Sequence, residues 1–201
     1  MITIVEAAGW PIYFLLVASV VSLGLIVERL MFLRRKNIVP PDLLDETVKV
    51  LRQTGVSPQM IQKLSEGSLL GRVFAAGLKN IKSSPNIMKE AIEEAGRAST
   101  HDMERFLTTL GTIASISPLL GLFGTVVGMI EIFGAQNAGG SNPAELAHGI
   151  SVALYNTAFG LIVAVPSMIF YRHFRSMVDS LTFEMEQMAI KLVEVVHGER
   201  K

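Results

Sequence analysis

An asparagine–threonine pair, Asn156 and Thr157, is the first place in this sequence where chemistry is to be sought. It lies in GISVALYNTAFGLIVAVP, residues 149–166, which contains no charged residue. At helical spacing, Thr157 shares one face with small residues, namely Gly149, Ala153, Gly160 and Ala164. A hydroxyl in such a groove favours a path for a polar species such as a proton. That chemistry requires an acid, and the stretch contains none.

A second apolar stretch, residues 108–133, carries a similar stripe made of Ser117, Gly121, Thr125 and Gly128. Such stripes have two uses in membranes: they allow helices to approach closely, or they leave room at a lumen. If Glu131 and His148 mark the outer interface, Thr125 and Thr157 both lie roughly 9–14 Å inside it. Two hydroxyls at similar depth predict a polar ring once subunits assemble.

Other kinds of chemistry find no support in the sequence. There are no cysteines, and the four histidines lack metal-ligand spacing. No nucleophile elbow, P-loop or dinucleotide fingerprint occurs. The formal net charge is zero, which gives no electrostatic case for nucleic acid. We therefore expect no enzyme, no metal, no cofactor and no nucleic-acid partner.

The distribution of basic residues predicts a membrane topology. All 18 Lys and Arg fall within residues 29–105 and 172–201. Three apolar segments are long enough to cross a bilayer: residues 11–33, 106–133 and 147–171. Basic clusters follow the first and third, so residues 34–105 and 172–201 are expected in the cytoplasm. Residues 1–10 and the loop 134–146 are then expected outside.

The polar remainder reads as helices. Residues 42–54 form one predicted helix, and Ser57-Pro58 and Ser84-Pro85 start two more. No strong breaker occurs between Pro85 and Pro118, so we expect one continuous helix from Pro85 to Phe133.

After the third span an amphipathic stripe predicts that its helix continues, with a packing face of Met177, Leu181, Met185, Met188, Leu192 and Val195. This face is expected to pack on residues 85–105. The predicted fold is an all-α membrane protein with three transmembrane helices, two of them extended into a helical cytoplasmic domain.

Three further residues have candidate roles near the pathway. Pro118 is expected to kink the second span, although the hydroxyls of Ser115 and Ser117 offer partners for the carbonyl that it frees. Glu131 and Glu145 lie near the predicted outer mouth. They either concentrate protons there or are simply solvated acids of the interface.

TTLGTIASISPLLGLFGTVVGMIEIF (108–133) and GISVALYNTAFGLIVAVP (149–166) together resemble the ExbB, TolQ and MotA proton-channel family, most nearly its ExbB/TolQ branch. The order of elements agrees over essentially the whole chain. The resemblance implies a homopentamer in the bacterial inner membrane, surrounding the membrane helices of an ExbD/TolR-like dimer. It also implies work driven by the proton motive force on a TonB/TolA-like partner, with membrane lipid around the assembly.

The resemblance also assigns pore-facing roles to Thr125 and Thr157. We add Asn156, Ala153, Gly121 and Gly160 to this predicted pathway. Many ExbB and TolQ sequences have glutamate in a GI-x-E-AL pattern, at the position where this chain has Val152. The titrating acid is therefore expected from the partner helix, which in this family supplies an aspartate.

The main interpretation is an ExbB-like subunit for TonB-type transport, and two alternatives stay open. The first is a stator for envelope integrity, gliding or lipid export, as in TolQ-like proteins. A reading of another class is a structural membrane scaffold that conducts nothing, which Val152 favours and the two threonines oppose.

Overall fold

The computed structural model describes residues 9–136 and 143–197, and all the regular elements in those ranges are helices. They are α1 (Pro11–Phe32), α2 (Arg35–Ile38), α3 (Leu43–Thr54), α4 (Pro58–Gly67), α5 (Leu69–Lys79), α6 (Pro85–Glu104), α7 (Leu107–Gln136) and α8 (Pro143–Val196). By length and composition, three helical stretches can cross a membrane, and they contain α1, α7 and the first half of α8. The prediction of an all-α membrane protein with three spanning helices is confirmed.

The chain divides into two compact units. We call Met1–Glu28 with Phe106–His173 the spanning unit, and Arg29–Arg105 with Phe174–Lys201 the charged unit. Every Lys and Arg except Arg172 belongs to the charged unit. The 54-residue helix α8 contributes to both.

The spanning unit presents large apolar side chains outward, as a membrane-spanning bundle does. Val20, Ile130 and Ile162 are 71%, 66% and 66% exposed. Inside it, the hydroxyls of Ser22 on α1 and Ser167 on α8 are 2.6 Å apart, and both residues are buried. Ser167 donates to the carbonyl of Val163, so Ser22 donates to Ser167. This bond ties α1 to α8.

The charged unit has an apolar core of its own. Many of its fully buried side chains come from α5, α6 and the second half of α8, including Phe74, Leu78, Met88, Met103, Phe174 and Leu192. Two serine caps set helix starts: Ser57 accepts from the Met60 amide, and Ser68 accepts from the Gly71 amide. The Ser57-Pro58 start is therefore confirmed, whereas α5 was not predicted.

The expected continuous helix from Pro85 to Phe133 is wrong. The helix ends at Glu104 and α7 begins at Leu107, with Phe106 at φ 65° between them. Arg29, 2% exposed, donates to the carbonyls of Met103 at 3.1 Å and Asp102 at 3.4 Å. These carbonyls belong to the last turn of α6, so the guanidinium caps this helix end. No glycine or proline nearby in the sequence predicts it.

Two ion pairs also involve the last turn of α6. Arg72 binds the Asp102 carboxylate at 3.0 Å, and Arg175 binds Glu104 at 3.0 Å. Acids at a helix C-terminus oppose the helix dipole, and arginines offset that opposition. With Arg29, these side chains form what we call the arginine clamp.

The amphipathic tail packs on α6, as expected: the hydroxyls of Thr100 and Thr182 lie 3.3 Å apart. The predicted stripe is wrong in part. Met177, Met188 and Val195 are only half-buried. The buried positions are Phe174, Val178, Leu181, Met185, Ala189 and Leu192.

Candidate functional site

The close approach of α7 and α8 is made by glycines within one chain. A Cβ added at Gly121 would lie 2.7 Å from the Asn156 carbonyl oxygen, and one at Gly160 would lie 2.6 Å from the Ser117 carbonyl oxygen. Real side chains do not tolerate such distances, because both obstacles are backbone. The small-residue stripes therefore serve close helix packing here.

The two threonines meet at this interface. Their hydroxyl oxygens are 2.6 Å apart, and both side chains are half-buried. Thr125 Oγ1 also lies 3.1 Å from the carbonyl of Ala153 and 3.2 Å from that of Gly121. Since a hydroxyl has one proton, Thr125 donates either to a carbonyl or to Thr157.

This arrangement gives the threonine pair two states. When Thr125 donates to a carbonyl, Thr157 donates to Thr125 and turns its lone pairs toward any third group. When Thr125 donates to Thr157, the proton of Thr157 is free to be given to a third group. The pair can thus accept from a carboxylic acid or donate to a carboxylate without changing its own charge.

The other predicted pathway residues lie around this pair. Asn156 and Ala153 are 1% and 2% exposed, and Gly121 and Gly160 are buried. All four therefore line the α7–α8 interface of a single chain. Their pore-facing role stays a prediction about the assembled complex.

Pro118 lies inside α7. Ser115 donates to the carbonyl of Gly111 at 2.9 Å, and Ser117 donates to that of Ile113 at 2.7 Å. Pro118 frees the carbonyl of Ala114, so neither serine proton goes to it. The alternative in which these hydroxyls satisfy the freed carbonyl is wrong.

Of the two acids predicted at the outer mouth, only Glu131 has a side chain within the described part of the structure. Glu131 is exposed on α7. Glu145 belongs to the first turn of α8, and its side chain lies outside the described part of the structure. His148 was treated only as a marker of the interface, yet it lines the same cavity as Glu131. The sequence gives only a weak signal for that cavity. The cavity depends on how α8 is rotated about its axis relative to α7, and residue spacing within one helix does not define this rotation.

Outside the spanning helices, one ion pair has a clear effect on titration. Arg35 and Glu184 form a hydrogen-bonded salt bridge. The hydrogen bond from Arg35 lowers the pKa of the Glu184 carboxyl below its ordinary value, against a weaker opposing effect of burial. Across the described residues, no three His, Asp or Glu side chains are grouped as a metal site requires.

The model of the MotA/TolQ/ExbB proton channel family matches residues 65–187. The chain belongs to this family. The match includes α7 and most of α8, and therefore both members of the threonine pair. The MotA/TolQ/ExbB family is a transport family and not an enzyme class, and its ExbB and TolQ proteins are channel subunits of energising complexes.

Individual relatives agree with this membership. A putative biopolymer transport protein, ExbB-like 3 of Synechocystis sp., is 33% identical over 79% of this chain and 77% of its own length. The biopolymer transport protein exbB1 of Vibrio cholerae is 31% identical over 80% and 71%. The Tol-Pal system protein TolQ of Pseudomonas aeruginosa is 30% identical over 74% and 67%. Both the ExbB and the TolQ branches are thus represented at nearly equal identity.

Proposed function

We propose that this protein is the channel subunit of a proton-driven motor that energises TonB-type outer-membrane transport. The observation that carries the proposal is the Thr125–Thr157 contact of 2.6 Å at the α7–α8 interface. In the proposed complex five copies surround an ExbD-like dimer in the bacterial inner membrane. A TonB-like protein couples the motor to its load.

The orientation in this proposal rests on charge. Arg34, Arg35 and Lys36 follow α1. Arg172 and Arg175 follow the apolar part of α8. The positive-inside rule favours the cytoplasm for both regions, with the N-terminus and the α7–α8 loop in the periplasm.

The proposed mechanism divides the work between two proteins. Threonine does not titrate near neutral pH, and Val152 supplies no acid. A carboxylate on the partner's helix binds and releases the proton. The threonine pair accepts a hydrogen bond from the protonated form of this group and donates one to its charged form. A carboxylate at mid-membrane costs about 2.5–3.5 kcal/mol. One proton moving through ~100 mV yields about 2.3 kcal/mol, so the two terms are comparable.

Thr157→Val tests the threonine pair. Losing a hydrogen bond to a charged group costs about 1.5–3 kcal/mol, which corresponds to roughly a 10- to 150-fold loss of proton flux. The complex should still assemble, because Thr125 keeps the carbonyls of Ala153 and Gly121 as acceptors. The measurement is proton uptake into liposomes that hold this chain and its partner.

Thr112→Val is the matched control. Thr112 is exposed on α7, the helix that carries Thr125, and its hydroxyl donates to the nearby Thr108 carbonyl at 2.8 Å. Its flux should equal that of the wild type. Full flux in a Thr125→Val, Thr157→Val double variant would refute the mechanism. Absence of flux in the wild-type complex would favour the non-conducting scaffold.

A second candidate is a TolQ-like stator for envelope integrity, gliding or lipid export, favoured by the identity with the Pseudomonas aeruginosa TolQ protein. The channel chemistry is the same in both cases, and the load differs. Co-purification from the native membrane, followed by identification of the single-span partner, separates them. A TolR-like partner would replace TonB-type transport with the second candidate.

A further inference from the structure

The spanning unit contains a cavity of about 270 Å³ between the start of α1, the end of α7 and the start of α8. Glu131 and His148 line it and are both exposed. Ala153 and Asn156 line it as well, and they are 2% and 1% exposed. The cavity therefore leads from exposed titratable side chains to buried residues of the α7–α8 interface.

The buried end of the cavity adjoins the threonine pair. The Ala153 carbonyl accepts from Thr125 at 3.1 Å, and Asn156 directly precedes Thr157 in the chain. Along α8, His148 and Asn156 are separated by a rise of about 12 Å. The cavity therefore reaches residues next to the threonine pair, and neither threonine is among the residues that line it.

The volume is sufficient for a file of water. One water takes about 30 Å³ of liquid, so the cavity has room for about nine. Water enters a cavity where polar groups can bind it, and here these groups are the Glu131 carboxylate and the His148 imidazole. Pro11, at the start of α1, and Gly9, two residues before it, add no titratable group.

We propose that this cavity is the proton-uptake site of each subunit, with Glu131 and His148 as its proton acceptors. This inference rests on the proposed function and adds a route to it. A proton from outside adds to the Glu131 carboxylate or the His148 imidazole. It then passes through the water file to the acceptor at the threonine pair, and the side chain returns to its starting charge.

Glu131 and His148 are the exposed residues of the cavity, so a proton from outside meets them before it reaches the buried end. Each subunit of the assembly then collects protons through its own wall. The central partner helix accepts these protons. They enter from the periplasm through the cavity of each subunit as well as at the partner helix itself.

The flux experiment uses the complete complex in liposomes and the double variant Glu131→Gln, His148→Gln. We expect proton uptake to fall about tenfold or more, because both relay groups are lost while size and polarity are kept. Unchanged flux in the double variant would overturn the inference.

A labelling experiment reads the cavity without any flux. The chain has no cysteine, so single thiols can be introduced cleanly. Val152 lines the cavity, whereas Leu154, two residues on, is 54% exposed on the outer surface of the helix. A charged, membrane-impermeant thiosulfonate added from outside should react about tenfold or more faster with Val152→Cys than with Leu154→Cys, since thiolate forms only in water.

The two experiments separate the inference from the function on which it rests. Equal reaction rates at the two thiols would refute a water-filled cavity, even when the wild-type complex conducts protons. Fast reaction at Val152→Cys with no flux in any complex would keep the hydrated cavity and overturn both its uptake role and the proposed channel.

Discussion

Arg29 makes a strong prediction because one buried side chain holds the end of another helix. It is 2% exposed, it donates to the Met103 carbonyl at 3.1 Å, and its guanidinium carbon lies 4.6 Å from the centre of the Phe32 ring. The perturbation is Arg29→Met, which keeps the length of the stem and removes the charge.

The expected loss follows from these contacts. A hydrogen bond from a charged donor contributes about 1.5–3 kcal/mol, and a cation over an aromatic face about 0.5–2 kcal/mol. Removing a buried charge also removes its desolvation penalty, which offsets part of the loss. We expect a net cost of about 2–3 kcal/mol. For a chain of this size that lowers Tm by about 4–12 °C.

The assay is thermal unfolding of the purified oligomer in detergent, with hydrogen exchange followed in the last turn of α6. Arg29→Met should speed exchange there, because two carbonyls lose their cap. Arg29→Lys should recover part of the stability, since it keeps a charged donor but not the planar fork. Arg34→Met, an exposed neighbour, is the control. Equal Tm values for Arg29→Met and Arg34→Met would refute the capping role.

Two further predictions concern packing and pH. Gly121→Leu should lower the yield of intact oligomer, because the new side chain would collide with the Asn156 backbone. Gly24→Leu is the control and should assemble normally, since a Cβ at Gly24 has no atom within 4 Å. Equal oligomer yields for the two variants by native mass spectrometry would contradict this prediction. The Tm difference between wild type and Glu184→Gln should be present at neutral pH. It should be lost as pH falls below the ordinary carboxyl value of about 4.3 and on through the lower folded-state pKa of Glu184. A difference that persists in acid would show that the ion pair with Arg35 is not its cause.

The spanning helices were predictable because their signals are local. Apolar length alone locates α1, α7 and the first half of α8, and helical spacing brings Thr125 and Thr157 to matching faces. The break before Phe106 was not predictable, since its cap comes from Arg29, more than 70 residues earlier. The tail stripe was predicted from the larger methionines, but the structure buries the small Ala189 where the helices approach.

The cavity at Glu131 and His148 shows the same limit. Its residues come from α7, from α8, and from Gly9 and Pro11 at the beginning of α1 and just before it. Their spacing within each helix is that of an ordinary interface. The cavity becomes visible only when the rotation of α8 about its own axis is known.

The hydrogen bond between Ser22 and Ser167 has a consequence for how the chain is made. The two residues are 145 positions apart. At about 5–20 residues per second, Ser167 is synthesised roughly 7–29 s after Ser22. During that interval α1 resides in the bilayer without its partner, and its hydroxyl turns back to a carbonyl of its own helix. Docking of α1 is therefore a late event of biogenesis, timed by the ribosome reaching the second half of the chain.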